Sequence, residues 1–154
     1  MSLFLKNLLF TLLVPGTVAV YVPRLLVGDA PPGSVGWRLA AMIFFLVGGS
    51  IYAWCIWDFA THGRGTPAPI DAPKTLVVCG LYRHTRNPMY VGVLTTILGW
   101  GLLYRSPGLI LYALGVGLCF QCFIVFYEEP HLQRVFGSAY ETYRAHVERW
   151  LPKC

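Results

Sequence analysis

The chain is expected to be all-α: an integral membrane bundle of four transmembrane helices, with amphipathic helices at its C-terminal end lying on the cytosolic face. Three observations predict this. Hydrophobic residues fill 56% of the 154 positions and charged residues only 12%, a far greasier balance than soluble domains show. The apolar residues gather into four runs of near-spanning length, and the basic residues collect between them. The length suits one domain. The net charge of +5 would suggest nucleic acid in a soluble protein, but here it reads as a topology signal and as attraction to anionic headgroups.

The first run covers residues 3–22 and is interrupted early by Lys6 and Asn7. A lysine so placed can snorkel to the surface, and Pro15-Gly16 inside the run predicts a kink rather than a cleavable leader. Arg24 and the Asp29-Ala30-Pro31-Pro32-Gly33 turn follow. The second run, residues 39–57, is bounded by Arg38 and Asp58, and its Gly48-Gly49-Ser50 would let another helix approach closely. Residues 61–72, with His62-Gly63-Arg64-Gly65-Thr66-Pro67-Ala68-Pro69, have neither helical nor strand period and read as a loop.

The third run starts at Pro88, a favourable first helical position, and reaches Tyr104; the fourth covers residues 109–127. Arg105-Ser106-Pro107-Gly108 between them is a tight turn, so the two helices should be antiparallel neighbours. Beyond Pro130 the pattern becomes amphipathic. Leu132, Val135 and Phe136 share one helical stripe, Gly137 stops it, and Ser138-Ala139-Tyr140-Glu141 reads as a capping box for a further helix with Tyr140, Tyr143 and Val147 on one side. Neither segment is apolar enough to span.

Placing both termini in the cytoplasm puts nine basic residues inside (Lys6, Arg64, Lys74, Arg83, Arg86, Arg134, Arg144, Arg149 and Lys153) and three outside (Arg24, Arg38 and Arg105). Two polar clusters then share the inner side. One is Cys79-Gly80-Leu81-Tyr82-Arg83-His84-Thr85-Arg86-Asn87-Pro88-Met89-Tyr90, the other Tyr127-Glu128-Glu129-Pro130. A hairpin of the third and fourth helices would bring them together. Arg86 and the free N–H groups of the helix led by Pro88 favour an anionic group, while Glu128 and Glu129 favour a cation, so a zwitterionic ligand suits the pair. Neighbouring helical residues point about 100° apart, so one glutamate faces the ligand and the other pairs with Arg83, Arg86 or a C-terminal arginine.

Other features read as structural. Cys119 and Cys122 form a CxxC inside an apolar run and are expected to pack as thiols on a spanning helix; Gly99-Trp100-Gly101 belongs to helix packing, since no strand precedes it. The histidines at 62, 84, 131 and 146 show no metal-ligand spacing, and Trp150 with the span-end tyrosines reads as an interfacial belt.

The stretch Lys74-Thr75-Leu76-Val77-Val78-Cys79-Gly80-Leu81-Tyr82-Arg83, continued by Arg86-Asn87-Pro88-Met89-Tyr90-Val91-Gly92, resembles the superfamily of isoprenylcysteine carboxyl methyltransferases and phospholipid methyltransferases. So do Glu128-Glu129-Pro130-His131-Leu132, Phe136-Gly137-Ser138-Ala139-Tyr140 and the segment from Tyr143 to Arg149-Trp150-Leu151-Pro152. Gly65-Thr66-Pro67-Ala68-Pro69 is similar to bacterial members. The family often has histidine where this chain has Asn87.

The resemblance implies S-adenosylmethionine as methyl donor, bound on the cytosolic side, and a lipophilic acceptor entering from the bilayer, in a multi-pass protein of a bacterial inner membrane. It implies one domain over residues 1–154, with two spans in 1–60 and a cofactor-binding core in 61–154. Carried over, the cofactor-binding candidates are Leu76, Val77, Gly80, Leu81, Tyr82, Arg86, Asn87, Pro88, Tyr90, Glu128 and Glu129. Arg86, Glu128 and Glu129 are also the catalytic candidates: a carboxylate acceptor needs no general base, whereas a lipid amine needs one of the glutamates, and Arg86 would orient an acceptor carboxylate. Two other readings stand beside this one: a sterol-type reductase using NADPH, and a noncatalytic lipid-binding membrane protein.

Overall fold

Proline sets most of the helix boundaries in the computed structural model, which describes residues 3–63 and 75–150, with side chains for 8–62 and 75–150. The elements are α1 (Leu3–Leu13), α2 (Val22–Val27), α3 (Val35–Asp58), α4 (Pro88–Tyr104), α5 (Pro107–Phe123), α6 (Glu129–Phe136) and α7 (Ser138–His146). Every regular element among the described residues is helical. The side chain of Lys6, the Gly65–Pro69 motif with Arg64 and Lys74, and residues 151–154 lie outside the described residues.

Among the described residues, three continuous helical stretches are long and apolar enough to cross a bilayer: Leu8–Val27, Val35–His62 and Pro107–Phe136. The shorter α4 has 17 residues, about 25 Å at 1.5 Å per residue, less than the hydrocarbon thickness. Large apolar side chains such as Leu25, Leu111, Leu118 and Phe126 face outward, as expected of a surface solvated by lipid.

Two of these stretches contain a π-helical turn immediately upstream of a proline. At Thr17–Tyr21 the Val22 N–H reaches the Thr17 carbonyl, ahead of Pro23; at Ile124–Glu128 the Glu129 N–H reaches the Ile124 carbonyl, ahead of Pro130. A proline inside an α-helix lacks its N–H and strikes the carbonyl four residues back. The wider turn displaces that carbonyl, so the helix continues. The fourth run, read as reaching residue 127, therefore does not end there: α5, the π turn and α6 form one unbroken helix, of which α6 is the amphipathic end.

Among the described residues, α3 and α4 form the most extensively packed pair. Its crossing point is Gly48 on Gly92. A Cβ on Gly48 would lie 2.7 Å from the Gly92 carbonyl oxygen, and one on Gly92 would lie 2.9 Å from the Gly48 carbonyl oxygen. Of the expected Gly48-Gly49-Ser50 contact, Gly48 is the part used, since a Cβ on Gly49 would meet nothing within 4 Å. Gly99 seats the ring of Phe45 and Gly101 the side chain of Ile110, so both glycines of the GxG serve helix packing. The α4–α5 turn closes with Arg105 in the left-handed region (φ 52) and Ser106 Oγ accepting from the Leu109 N–H, making the two helices antiparallel neighbours as expected. The α1–α2 stretch is clipped to the rest by Tyr112 Oη donating to the Val18 carbonyl (3.0 Å) and by the Thr11–Tyr52 hydroxyl pair (3.0 Å).

Two local expectations are corrected. Gly137, at φ 51, joins α6 to α7 directly, so Ser138 already has helical geometry and makes no side-chain cap; Glu141 instead accepts from Gln133 Nε2 at 2.6 Å, and no capping box forms. Cys119 and Cys122 are free thiols on the spanning helix, as expected, but both are exposed on the outer face of α5 rather than buried in the bundle.

The glycine crossing yields a prediction. Gly92→Val should destabilise the detergent-solubilised protein by about 1–3 kcal/mol through overpacking, whereas Gly49→Ala should stay within about 0.5 kcal/mol of the parent. Thermal unfolding followed by circular dichroism checks both, and equal effects would contradict the crossing.

Candidate functional site

The helix start at Pro88 and the π turn before Glu129 bring the two polar clusters together. Chain separation is 43 residues, yet Arg86 Nη1 donates to Glu129 Oε1 at 2.9 Å. The same Arg86 nitrogen also donates to Tyr140 Oη at 3.1 Å. Arg149 completes the grip, with Nε on Glu129 Oε1 at 2.8 Å and Nη2 on Oε2 at 3.1 Å, a bidentate geometry. Glu129 and Arg86 are nearly buried, with side chains 11% and 9% exposed, so both ions need these partners. Glu128 points elsewhere, as adjacent helical positions must, and accepts from Tyr90 Oη at 2.8 Å.

Backbone contacts hold the arginines in place. The Arg86 N–H donates to the Glu148 carbonyl at 2.9 Å, and the Arg149 carbonyl accepts from Thr85 Oγ1 and Asn87 Nδ2, each at 3.0 Å. Thus the segment before α4 and the segment after α7 lie side by side. The Glu129 hydrogen bond raises the pKa of the Arg149 guanidinium, which stays charged. Burial, with the Glu129 carboxylate adding to it, pushes the Tyr140 phenol up. Burial does the same to Tyr143, whose hydroxyl donates to the Tyr82 carbonyl at 2.7 Å. Trp150 donates to Gln121 Oε1 at 2.8 Å, a fixed contact rather than a loose belt position.

Among the sequence candidates, Arg86, Asn87, Tyr90, Glu128 and Glu129 belong to this network, and the buried Pro88 starts the helix beneath it. Leu76, Val77, Gly80, Leu81 and Tyr82 lie toward α3 instead. Val77 and Tyr82 are buried with Cys55, Leu81 packs at that cluster's margin, half-buried Leu76 precedes it, and the Tyr82 ring sits edge-on to Phe59. Of the arginines left open as partners of the second glutamate, Arg86 and Arg149 take the role, and Arg83 is exposed. Tyr140 and Tyr143 read in the sequence only as an apolar stripe, because a phenol looks apolar by periodicity until its hydroxyl finds a partner.

The same turn has a second face that the sequence did not reveal. Asp58 Oδ1 lies 3.9 Å from His62 Nδ1, and one ligand atom each from Asp58, His62 and Cys79 lie within 4.8 Å of one another. The spacing of histidines along the chain could not show this, because Cys79 comes from another segment. Asp58 Oδ2 is buried with no hydrogen-bond partner among the described residues. Burial, reinforced by the Asp58 carboxylate, pushes the Cys79 thiol up.

A buried carboxylate held by two arginines at one end of an apolar helical bundle defines a membrane protein with a built polar site. Comparison with known proteins gives its family. The family model for phospholipid methyltransferases matches residues 37–139, and the chain belongs to that family, within the superfamily that includes the isoprenylcysteine carboxyl methyltransferases. A protein of Yarrowia lipolytica (strain CLIB 122 / E 150) named phosphatidylethanolamine N-methyltransferase is 34% identical over 70 residues, covering 46% of this chain and 7% of that protein. The match therefore spans only a small part of the relative's length. No solved structure matches the chain.

The carboxylate clamp is open to a double-mutant cycle. Glu129→Gln and Arg149→Gln should each destabilise the protein, with a coupling energy of about 1–3 kcal/mol between them, measured by thermal unfolding in detergent. Strictly additive effects would mean that the bidentate contact carries no stability.

Proposed function

We propose that the chain transfers a methyl group from S-adenosylmethionine to a lipophilic acceptor at the inner face of a membrane, and that this acceptor is the amine of a phospholipid. The observation that carries the reading is the convergence of Arg86 and Asn87 with Glu128 and Glu129 beside the start of α4. The methionine end of the donor carries one ammonium and one carboxylate. Glu128 suits the first, and Arg86, held in place by Glu129, suits the second together with the free N–H groups of the α4 start. One buried polar atom fits that need: Arg86 Nε has no partner among the described residues. When bound, the donor would supply an electrophilic methyl on sulfonium. The chain's own residues would bind its charged end, exclude water and align the acceptor.

The catalytic candidates divide by geometry. Glu129, shared between two arginines, keeps Arg86 in place for the donor's carboxylate, whereas Glu128, bonded to a neutral phenol, is the carboxylate left to meet an ammonium, whether the donor's or that of an acceptor from which it takes a proton. The name of the Yarrowia relative supports an amine acceptor. The candidates around Val77 and Tyr82 would wall the donor on its α3 side.

In the same reading α4 is a fourth span whose start is sunk below the headgroups, and both termini and α6–α7 lie on the cytosolic side of a bacterial inner membrane. Residues 1–60 supply two spans, and 61–154 the donor-binding core. The nine-to-three distribution of basic residues supports this orientation.

The test uses purified protein, radiolabelled S-adenosylmethionine and a host lipid extract, with identification of what becomes labelled. Label in an amine phospholipid is expected. Arg86→Ala and Glu129→Gln should each lose donor binding by about tenfold or more, read by isothermal titration, while remaining folded in detergent. Normal donor affinity in both variants would remove them from the site.

A further inference from the structure

The α4–α5 turn lies at the end of the bundle away from the Glu129 clamp: α4 begins at Pro88, just after Arg86, and reaches Tyr104 about 25 Å further on. A cleft of about 560 Å³ opens at that far end. Trp37, near the start of α3, forms one wall, Ile110, Leu111 and Leu114 on α5 form the other, and Arg105 and Ser106 stand where the turn closes it. Leu111 and Leu114 are 71% and 62% exposed, a surface for acyl chains to cover. None of the lining residues is acidic.

Arg105 occupies a backbone position that suits a different residue. Among the described residues it is the one non-glycine with positive φ, at +52, and it sits at a helix C-cap, where glycine is favoured because a Cβ is crowded there. Strained residues of this kind concentrate where the side chain has a task. The guanidinium lies over the Trp37 ring, 5.9 Å from its centroid, and has no carboxylate partner among the described residues. Arg24 and Arg38, near the same end, are already engaged, donating to the backbone carbonyls of Gly28 and Gly33. Arg105 is therefore the arginine left to meet a ligand. Pro107 begins a helical stretch that continues to Phe136, so the positive end of its dipole adds to the same field.

We propose that this cleft binds an anionic phospholipid: the Arg105 guanidinium takes the phosphate, and the channel between Trp37 and α5 takes an acyl chain. The lining selects the charge class. A zwitterionic lipid would bring an ammonium beside an arginine with no carboxylate to meet it, whereas a glycerol headgroup adds only hydroxyls. An anion without a chain would leave the apolar walls uncovered. A lipid held here has its headgroup at the opposite end of α4 from the clamp, so it acts by fixing the α3–α4–α5 end and not as the methyl acceptor. The site does not depend on the methyl-transfer reading.

The test uses the full-length protein in dodecyl maltoside, with dioleoyl phosphatidylglycerol, dioleoyl phosphatidylcholine and inorganic phosphate as probes. Retention is read by native mass spectrometry and stability by thermal unfolding. The glycerol lipid should be retained about tenfold or more better than the choline lipid and should raise the unfolding midpoint, and inorganic phosphate should do neither. Arg105→Gly, which suits the left-handed backbone, should fold and lose the preference, while Arg24→Gln, whose side chain is bonded within its own loop, should keep it. Should Arg105→Gly fail to fold, Trp37→Leu decides: the preference should fall about two- to fivefold, and an unchanged preference overturns the proposal. Equal retention of the two lipids by the parent, or a preference that survives Arg105→Gly, also overturns it. A preference that Arg24→Gln abolishes as fully overturns it by tracing the effect to the net charge of that end, and phosphate binding that matches the glycerol lipid replaces the lipid with a free anion. S-adenosylmethionine enters none of these measurements, so their result stands whether or not the donor reading does.

Discussion

The carboxylate of Glu129, held between Arg86 and Arg149, is the interaction on which the polar end of the molecule depends. An ionised carboxylate at the end of an apolar helix is tolerable only when paired and hydrogen-bonded, and here the two partners come from separate segments. The clamp therefore ties the approach to α4, the α5–α6 helix and the C-terminal segment at one point. The neighbouring backbone contacts from Arg86, Thr85 and Asn87 to Glu148 and Arg149 follow from that juxtaposition. Tyr140 is buried against the same arginine, so α7 belongs to the site.

Helix geometry decides which way each glutamate points. The π turn at Ile124–Glu128 ends where the two carboxylates begin, and it lets Pro130 lie inside a continuous helix. Glu128 is left toward Tyr90 on α4, and Glu129 toward the arginines. π turns of this kind concentrate at functional positions because they change the direction of side chains without ending a helix. The third π turn, Phe59–Gly63, extends α3 past Asp58 and sets His62 one turn beyond it.

Much of this was legible in the residues. Pro88 marked the α4 start, Gly48 the close crossing, Arg105-Ser106-Pro107 the antiparallel turn, and the two polar clusters their meeting at one end. Each of these has a local cause that composition or spacing exposes. What escaped had a non-local cause. Pro130 reads as a breaker unless the turn before it is known to widen, and Ser138 reads as a cap unless Gly137 is known to take positive φ. Asp58 read only as a span boundary, because the groups that make it unusual, Gly80 and Cys79, come from another part of the chain. Arg149 was one of several arginines of equal standing until the fold gave it Glu129.

The order in which the clamp's members occur also bears on how the protein matures. Ribosomes deliver residue 86 first, then 129, and Arg149 twenty positions later. While the α5–α6 helix is being inserted, its acid has a single countercharge, and the second arrives only with the segment beyond α7. The polar end therefore cannot close before that segment is made, and a nascent chain stalled short of it carries a half-neutralised carboxylate.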